Sequence, residues 1–340
     1  MADRPTLVHV AQHAGVSLAS ASRALSGQGA GKKTTEKVRQ AAQELGYVPD
    51  ATARSLKFGR KLQIAFAVDD IGNPVYVEML RAIEAELSQH GVRLFVSGTG
   101  NTPQETIEIL QDLKRGFADG LIISPLRITT ELTTAIEESP VPVVVIGAFG
   151  PSAHVDTIKT DSARGVELAV EHLKRHGSTT IGFVNGPLDT TPGRARQRGF
   201  NNVVPDSPHQ TVAHTFTVSD GIAAALELLD NAQQQGTQLD AIVAANDLLA
   251  MGVIRAVVQR GLSVPEDIQV IGIDDTEFAN TFNPPVTSVN LGSQERGRLA
   301  AKLLLERIEE PGKTASHHSV SPQLTVRAST IQSTPATDNA

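Results

Sequence analysis

The sequence predicts an α/β protein: a small three-helix, helix-turn-helix unit followed by two lobes of parallel sheet covered by helices. Three observations predict it. Charge is divided unevenly, with a balance of +6 over residues 1–61 and −13 over the remainder, for a net −7 in 340 residues. From Leu62 onward, apolar runs alternate with amphipathic stretches, and buried strands separated by helices mean parallel sheets covered on both faces. Those runs fall into two sets of four, which suggests two similar lobes.

Thr6 can cap a first helix in which Leu7, Val10, Ala11 and Ala14 recur at helical spacing. Gly15 ends it, because a tight turn between helices needs positive φ without a Cβ clash. Ser17 caps a second helix running to about Leu25, and small Ala11, Ala14 and Ala21 let the two cross closely. Thr34 begins a third helix whose Val38, Ala41, Ala42 and Leu45 share one face, with Gly46 as its stop. The second helix would expose Leu18, Ala19, Ser20, Ser22 and Arg23 to a major groove. There Arg23 could fork onto guanine, while Ser22 and the helix start at Ser17 suit phosphates. A structural helical hairpin shares this pattern, and a solvated basic face shares the charge.

After Pro49 come "DATARSLKFGRK" and then strands at 64–68, 92–98, 120–125 and 142–147. A second series lies at 180–186, 211–216, 241–246 and 268–275, with helices over 75–90, 162–176 and 220–235 between strands. The resulting domains are 1–48, a linker at 49–61, a body at 62–331 and a disordered tail at 332–340. Within the body, one lobe takes about 62–160 and 292–319, and the other about 161–291 and 320–331.

Hydrophobic residues make up 40% of the chain and there is no cysteine, so a large core is expected and thiolate chemistry is excluded. No apolar run approaches a membrane span and "MADRPTLVHV" lacks a signal peptide's apolar region, so a cytoplasmic protein with no membrane partner is expected. Sequence signatures of catalysis are missing. There is no G-x-S-x-G or H-E-x-x-H, and "GQGAGKK" is one residue short of a phosphate loop with no strand before it. His9/His13 and His172/His176 are spaced i, i+4, yet lack a third ligand. A solvated face is expected of them, and neither metal nor cofactor is assigned.

"TLVHVAQHAGVSLASASRALSG" and "TTEKVRQAAQELGYVPDATARSL" resemble the headpiece of the LacI/GalR family of bacterial transcription regulators. The resemblance continues through "FADGLIISP", "IGFVNGPLDTTPGRARQRGF", "AIVAANDLLAMGVIRAV" and "VPEDIQVIGIDD", in matching order and spacing. It implies a homodimer on double-stranded operator DNA, with Thr6 and the residues named above near the DNA. A hinge helix over Pro49–Leu56 would place Leu56 as a minor-groove wedge beside Ala53; a linker leucine touching the body is the other reading. His9 and Asp50 depart from the family's usual aspartate and asparagine. No leucine heptads follow "QLTVRAS", so a tetramer is not expected.

The resemblance also implies a body like the periplasmic sugar-binding proteins, with a small effector between the lobes. Strand C-termini are where open parallel sheets place ligands. Tyr76, Ser124, Thr190, Arg196, Phe216, Asn246 and Asp274 lie near such ends and match positions used for effector contact in the family. Arg196 and Asp274 suit vicinal hydroxyls, while Tyr76 and Phe216 are flat walls for a sugar ring or a base. Asn246 could equally be a helix cap, Phe216 ordinary core, and Asp275 a turn residue. Ala148 stands where relatives often carry an aspartate, and Phe149 beside it would add an apolar contact. A sugar or polyol is the first expectation for the effector, and a purine or nucleoside the second. A transport solute-binding protein would share the lobes but has no use for a basic head. An enzyme would have to rest on Asp274 and Asp275, adjacent residues that point apart.

Overall fold

A computed structural model describes residues 6–26, 31–45, 63–100, 102–113, 115–150, 152 and 154–330. The chain divides into two compact units, residues 1–62 and 63–340. Pro49–Leu56, including Asp50, Ala53 and Leu56, and the 332–340 tail lie outside the described residues.

In the first unit, α1 (Leu7–His13), α2 (Leu18–Ser26) and α3 (Lys32–Glu44) enclose Val10, Ala11, Ala21, Ala24, Val38, Ala41 and Ala42. Thr6 caps α1 through the His9 N–H, and the His9 ring accepts from the Thr6 N–H at 3.2 Å. His9 therefore completes a capping box in the position usually held by Glu or Gln. Gly15 turns the chain at φ +63°, and the Ser17 hydroxyl accepts from the Ser20 N–H at 3.2 Å at the start of α2. The third helix begins before Thr34. The Gly31 carbonyl already accepts from the Thr34 and Thr35 N–H groups at 2.9 and 3.0 Å, and two lysines, good helix formers, extend the first turn. His13 Nε2 meets Glu44 Oε2 at 2.8 Å, tying the end of α1 to the end of α3.

The second unit holds two six-stranded sheets. Strands β1 (Gln63–Val68), β2 (Arg93–Gly98), β3 (Gly120–Ser124), β4 (Val143–Ile146), β5 (Asp156–Thr160) and β11 (His317–Val320) form the first, in the order β11-β5-β4-β3-β1-β2, all parallel. Alternation divides its core. Phe66, Ile122 and Val144 face α4 (Pro74–Gln89) and α12 (Ser293–Glu309), while Leu121, Ile123 and Val145 face α5 (Pro103–Leu113) and α6 (Thr130–Glu137).

Strands β6 (Ile181–Asn185), β7 (Gln210–Val212), β8 (Ala241–Ala244), β9 (Gln269–Ile273), β10 (Thr287–Asn290) and β12 (Gln323–Thr325) form the second sheet, in the order β12-β10-β9-β8-β6-β7; only β12 runs antiparallel. Around it lie α7 (Ser162–Arg175), α8 (Thr191–Val203), α9 (Val218–Gln234), α10 (Asp247–Gln259) and short α11 (Glu277–Thr281). The chain passes between the sheets three times: after β5, after β10, and between β11 and β12.

Each sheet thus has six strands where sequence periodicity gives four. The additional strands are polar: "DTIKT", "TSVN", "HHSV" and "QLT". They are held by side-chain bonds as well as by the ladder. Asp156 takes Arg307 at 2.9 Å through both oxygens and the Ser316 N–H at 2.7 Å. The expected strand at 211–216 stops at Val212, and its remainder turns toward the space between the sheets. His172 and His176 do not form the solvated face expected of them. His172 is 3% exposed, its ring 4.2 Å from that of His176, and its Nε2 meets the Thr330 hydroxyl at 3.3 Å.

Candidate functional site

On the first unit, Ser17, Leu18, Ala19 and Arg23 are exposed, as is Thr6. Ser20 is half-buried. Ser22 is buried, which corrects its expected place on the outer face. It follows Ala21 on the arc facing the other two helices, and a nine-residue helix crossed closely by both keeps only a narrow outer face.

In the second unit, strand ends from both sheets surround a cavity of about 490 Å³. Tyr76, Ser124, Thr190, Arg196, Phe216, Asn246 and Asp274 all line it, as does Ala148. Phe149 does not. The chain alternates beyond β4, so the ring packs on the cluster around Leu121, Ile123 and Val145 instead.

Much of the polar lining is committed to scaffold. The Thr190 hydroxyl accepts from the Gly193 N–H at 3.1 Å and donates to the Pro187 carbonyl at 2.6 Å, capping α8. Asn246 accepts from the Leu249 N–H at 2.8 Å and donates to the Phe216 carbonyl at 3.3 Å, so it caps α10 and anchors the Phe216 loop. The Phe216 ring covers Gly186, where any Cβ would collide with it. Asp275 faces away into an ion pair with Arg327 at 2.6 Å and accepts from Thr325 at 2.8 Å.

Four side chains remain oriented toward an occupant. Arg196 lies 3.7 Å from Asp274 and 5.9 Å from the centre of the Phe216 ring, and its Nε has no hydrogen-bond partner among the described residues. Asp274 follows β9 at φ +117°, a strained conformation for a residue with a Cβ. Burial raises its pKa, with Arg196 and then Arg296 opposing. Tyr76 is buried against Ser124, and that burial raises its pKa too. A buried carboxylate and guanidinium beside two aromatic faces can receive hydroxyls on one side and a ring on the other.

Arg296 escaped the sequence reading. It is 7% exposed, lines the cavity, and its Nε has no hydrogen-bond partner among the described residues; burial lowers its pKa to about 10. The signal was present: Ser293, Arg296, Gly297, Ala300, Leu304 and Arg307 form the inward stripe of α12, so two arginines replace apolar residues there. Arg127, also missed, meets Asp189 at 2.7 Å across the mouth of the cavity, beside a bond from the Thr191 N–H to the Leu126 carbonyl at 2.7 Å.

A helix-turn-helix unit in one chain with a two-sheet body around a polar cavity defines the class of ligand-responsive DNA-binding regulators. Residues 6–50 match the family described as bacterial regulatory proteins, lacI family, and residues 170–330 match a periplasmic binding protein-like domain. The chain is 31% identical over 334 residues to the HTH-type transcriptional repressor PurR of Haemophilus influenzae, covering 95% of this chain and 98% of that one. It is 31% identical over 333 residues to the ribose operon repressor of Escherichia coli, covering 95% and 99%. The lac repressor dimer bound to operator and the anti-inducer ONPF superposes with a TM-score of 0.85 at 26% identity, covering 97% and 100%. The chain belongs to the lacI family of bacterial regulatory proteins: it is a DNA-binding transcriptional regulator, and the enzyme and solute-binding readings fall.

Proposed function

We propose that this protein is a cytoplasmic, homodimeric repressor whose operator affinity is set by a sugar or polyol bound between the two sheets. The observation that carries the reading is the cavity itself, where Arg196, Asp274, Tyr76 and Phe216 converge from separate elements. Each subunit reads one operator half-site through Leu18, Ala19 and Arg23. The linker, with Ala53 and Leu56, bends the operator centre. Exposed Phe95 and Val96 on edge strand β2 support self-association, since an apolar sheet edge left in water invites pairing. A ligand acts only as far as it binds one lobe arrangement better than another.

Operator binding measured by fluorescence anisotropy on the gene's own upstream DNA tests the reading, with sugars, polyols and nucleosides titrated in. The expected result is tight binding at low salt that one ligand class shifts. The Arg196→Ala variant should lose that shift while still binding operator. Absence of specific DNA binding, or a full ligand response in Arg196→Ala, rejects it.

A further inference from the structure

At the inner part of the cavity one guanidinium has no ion-pair partner among the described residues. Arg196 and Asp274 face each other at 3.7 Å and offset one another. Arg296 has no carboxylate within 4 Å among the described residues, is 7% exposed, and leaves its Nε without a hydrogen bond. None of the other acids nearby forms an ion pair with Arg296 among the described residues. Glu78 accepts from the Ser293 hydroxyl at 2.6 Å and does not line the cavity. Buried Asp247 accepts from Thr276 and Ser288 and does not line it either. Asp69 and Asp70 do line it, and burial, opposed by Arg127, raises the pKa of Asp69. A guanidinium withdrawn from water without a counter-ion is costly, and a buried donor with no acceptor marks a place where a ligand atom belongs.

We propose that the effector is a sugar acid, a polyol bearing one carboxylate, with the carboxylate on Arg296 and the hydroxyls on Asp274 and Arg196. A planar guanidinium matches a carboxylate through two parallel bonds. One guanidinium without an ion-pair partner is met by one negative charge, and a phosphate monoester, at about −1.5 to −2, exceeds it in a cavity that Asp69, Asp70 and Asp274 also line. A cavity of about 490 Å³ suits a molecule of this size. Arg296 comes from α12, which packs on the first sheet, whereas Arg196 and Asp274 belong to the second. The acid therefore ties the lobes together, and a neutral sugar leaves one of those ties unmade. This inference rests on the cavity being the effector site.

The test is calorimetry on the full-length protein with three matched pairs: D-gluconate and D-glucose, D-galacturonate and D-galactose, D-ribonate and D-ribose. Glucose 6-phosphate serves as the phosphate arm. At least one acid is expected to bind about tenfold or more tightly than its neutral parent. In Arg296→Met the preference of acid over neutral parent should vanish, and Arg296→Lys should retain part of it. Ligand-free Arg296→Met should melt at or above the wild-type temperature, and a marked fall would show the charge already compensated. No acid preference in any pair, a preference that survives Arg296→Met, or tighter binding of glucose 6-phosphate overturns the proposal. A neutral ligand that binds and is lost in Arg196→Ala would sink the sugar acid and keep the effector site. An Arg296-dependent acid that leaves operator affinity unchanged would keep the inference and sink the regulatory reading.

Discussion

Arg23 and His172 show how differently two cationic residue types behave once placed. Arg23 is exposed on the outer face of α2, where a guanidinium can fork onto a guanine edge. Replacing it with alanine should cost about 1–3 kcal/mol at one operator base pair. Anisotropy on single-base operator variants checks this, and uniform weakening on every sequence would make Arg23 a phosphate contact. His172, by contrast, is held neutral. Burial, followed by His176 and Arg175, lowers its pKa to about 4 from the ordinary 6.5. The unfolded chain then binds more protons between those values, so the stability His172 contributes is complete above pH 6.5 and is lost as pH falls toward 4. The loss should be on the order of 2–3 kcal/mol, read as a shallower pH dependence of the urea midpoint in His172→Gln. Gly186 makes a third case, where the missing side chain matters. Gly186→Ala must displace the Phe216 ring, so ligand affinity should fall about tenfold or more while operator binding persists. Unchanged affinity would mean the ring does not form a wall of the site.

At the scale of elements, what the sequence revealed depended on whether burial was carried by apolar side chains. Strands such as β3 and β4 are buried at every position and read directly as apolar runs. β5 is also buried over Asp156, Thr157 and Ile158, but its first residue is a carboxylate satisfied by Arg307, distant in sequence. No local pattern announces such a partner. The headpiece was legible because its signals are local: the Thr6 and Ser17 caps, Gly15, and alanines at helical spacing. Ser22 was misplaced because facing direction on a short helix is set by the helices crossing it. In the site, residues at strand ends could be anticipated, whereas Arg296 required reading a charge on an apolar stripe as a statement about an inner cavity. The Asp156–Arg307 pair gives this scale its prediction. Asp156→Ala leaves a buried guanidinium without its counter-ion and the edge strand β11 without its anchor at Ser316. Stability should fall by about 3–5 kcal/mol, measured by urea denaturation. A loss under about 1 kcal/mol would mean that the ladder alone holds β5 and β11.

Across the body, few direct bonds span the cavity among the described residues, and their modest strength is what allows a ligand to matter. Arg127 reaches Asp189 at 2.7 Å and the Thr191 N–H reaches the Leu126 carbonyl at 2.7 Å, while Arg81 and Glu277 meet at 3.4 Å elsewhere between the lobes. Asp189, Arg81 and Glu277 are exposed, and exposed ion pairs contribute about 0–1 kcal/mol each. A latch of that strength cannot hold the lobes closed alone, so a ligand contacting both lobes decides the balance. By reciprocity, whatever weakens the closed form weakens ligand affinity by the same factor. Asp189→Ala removes the Arg127 partner without touching the cavity lining, so ligand affinity should fall about two- to fivefold with little change in melting temperature. Raised salt should reduce wild-type affinity toward that of the variant, because screening weakens the same pair. Equal affinities for wild type and Asp189→Ala across salt would show that this pair does not contribute to closure, leaving the cavity contacts to set it.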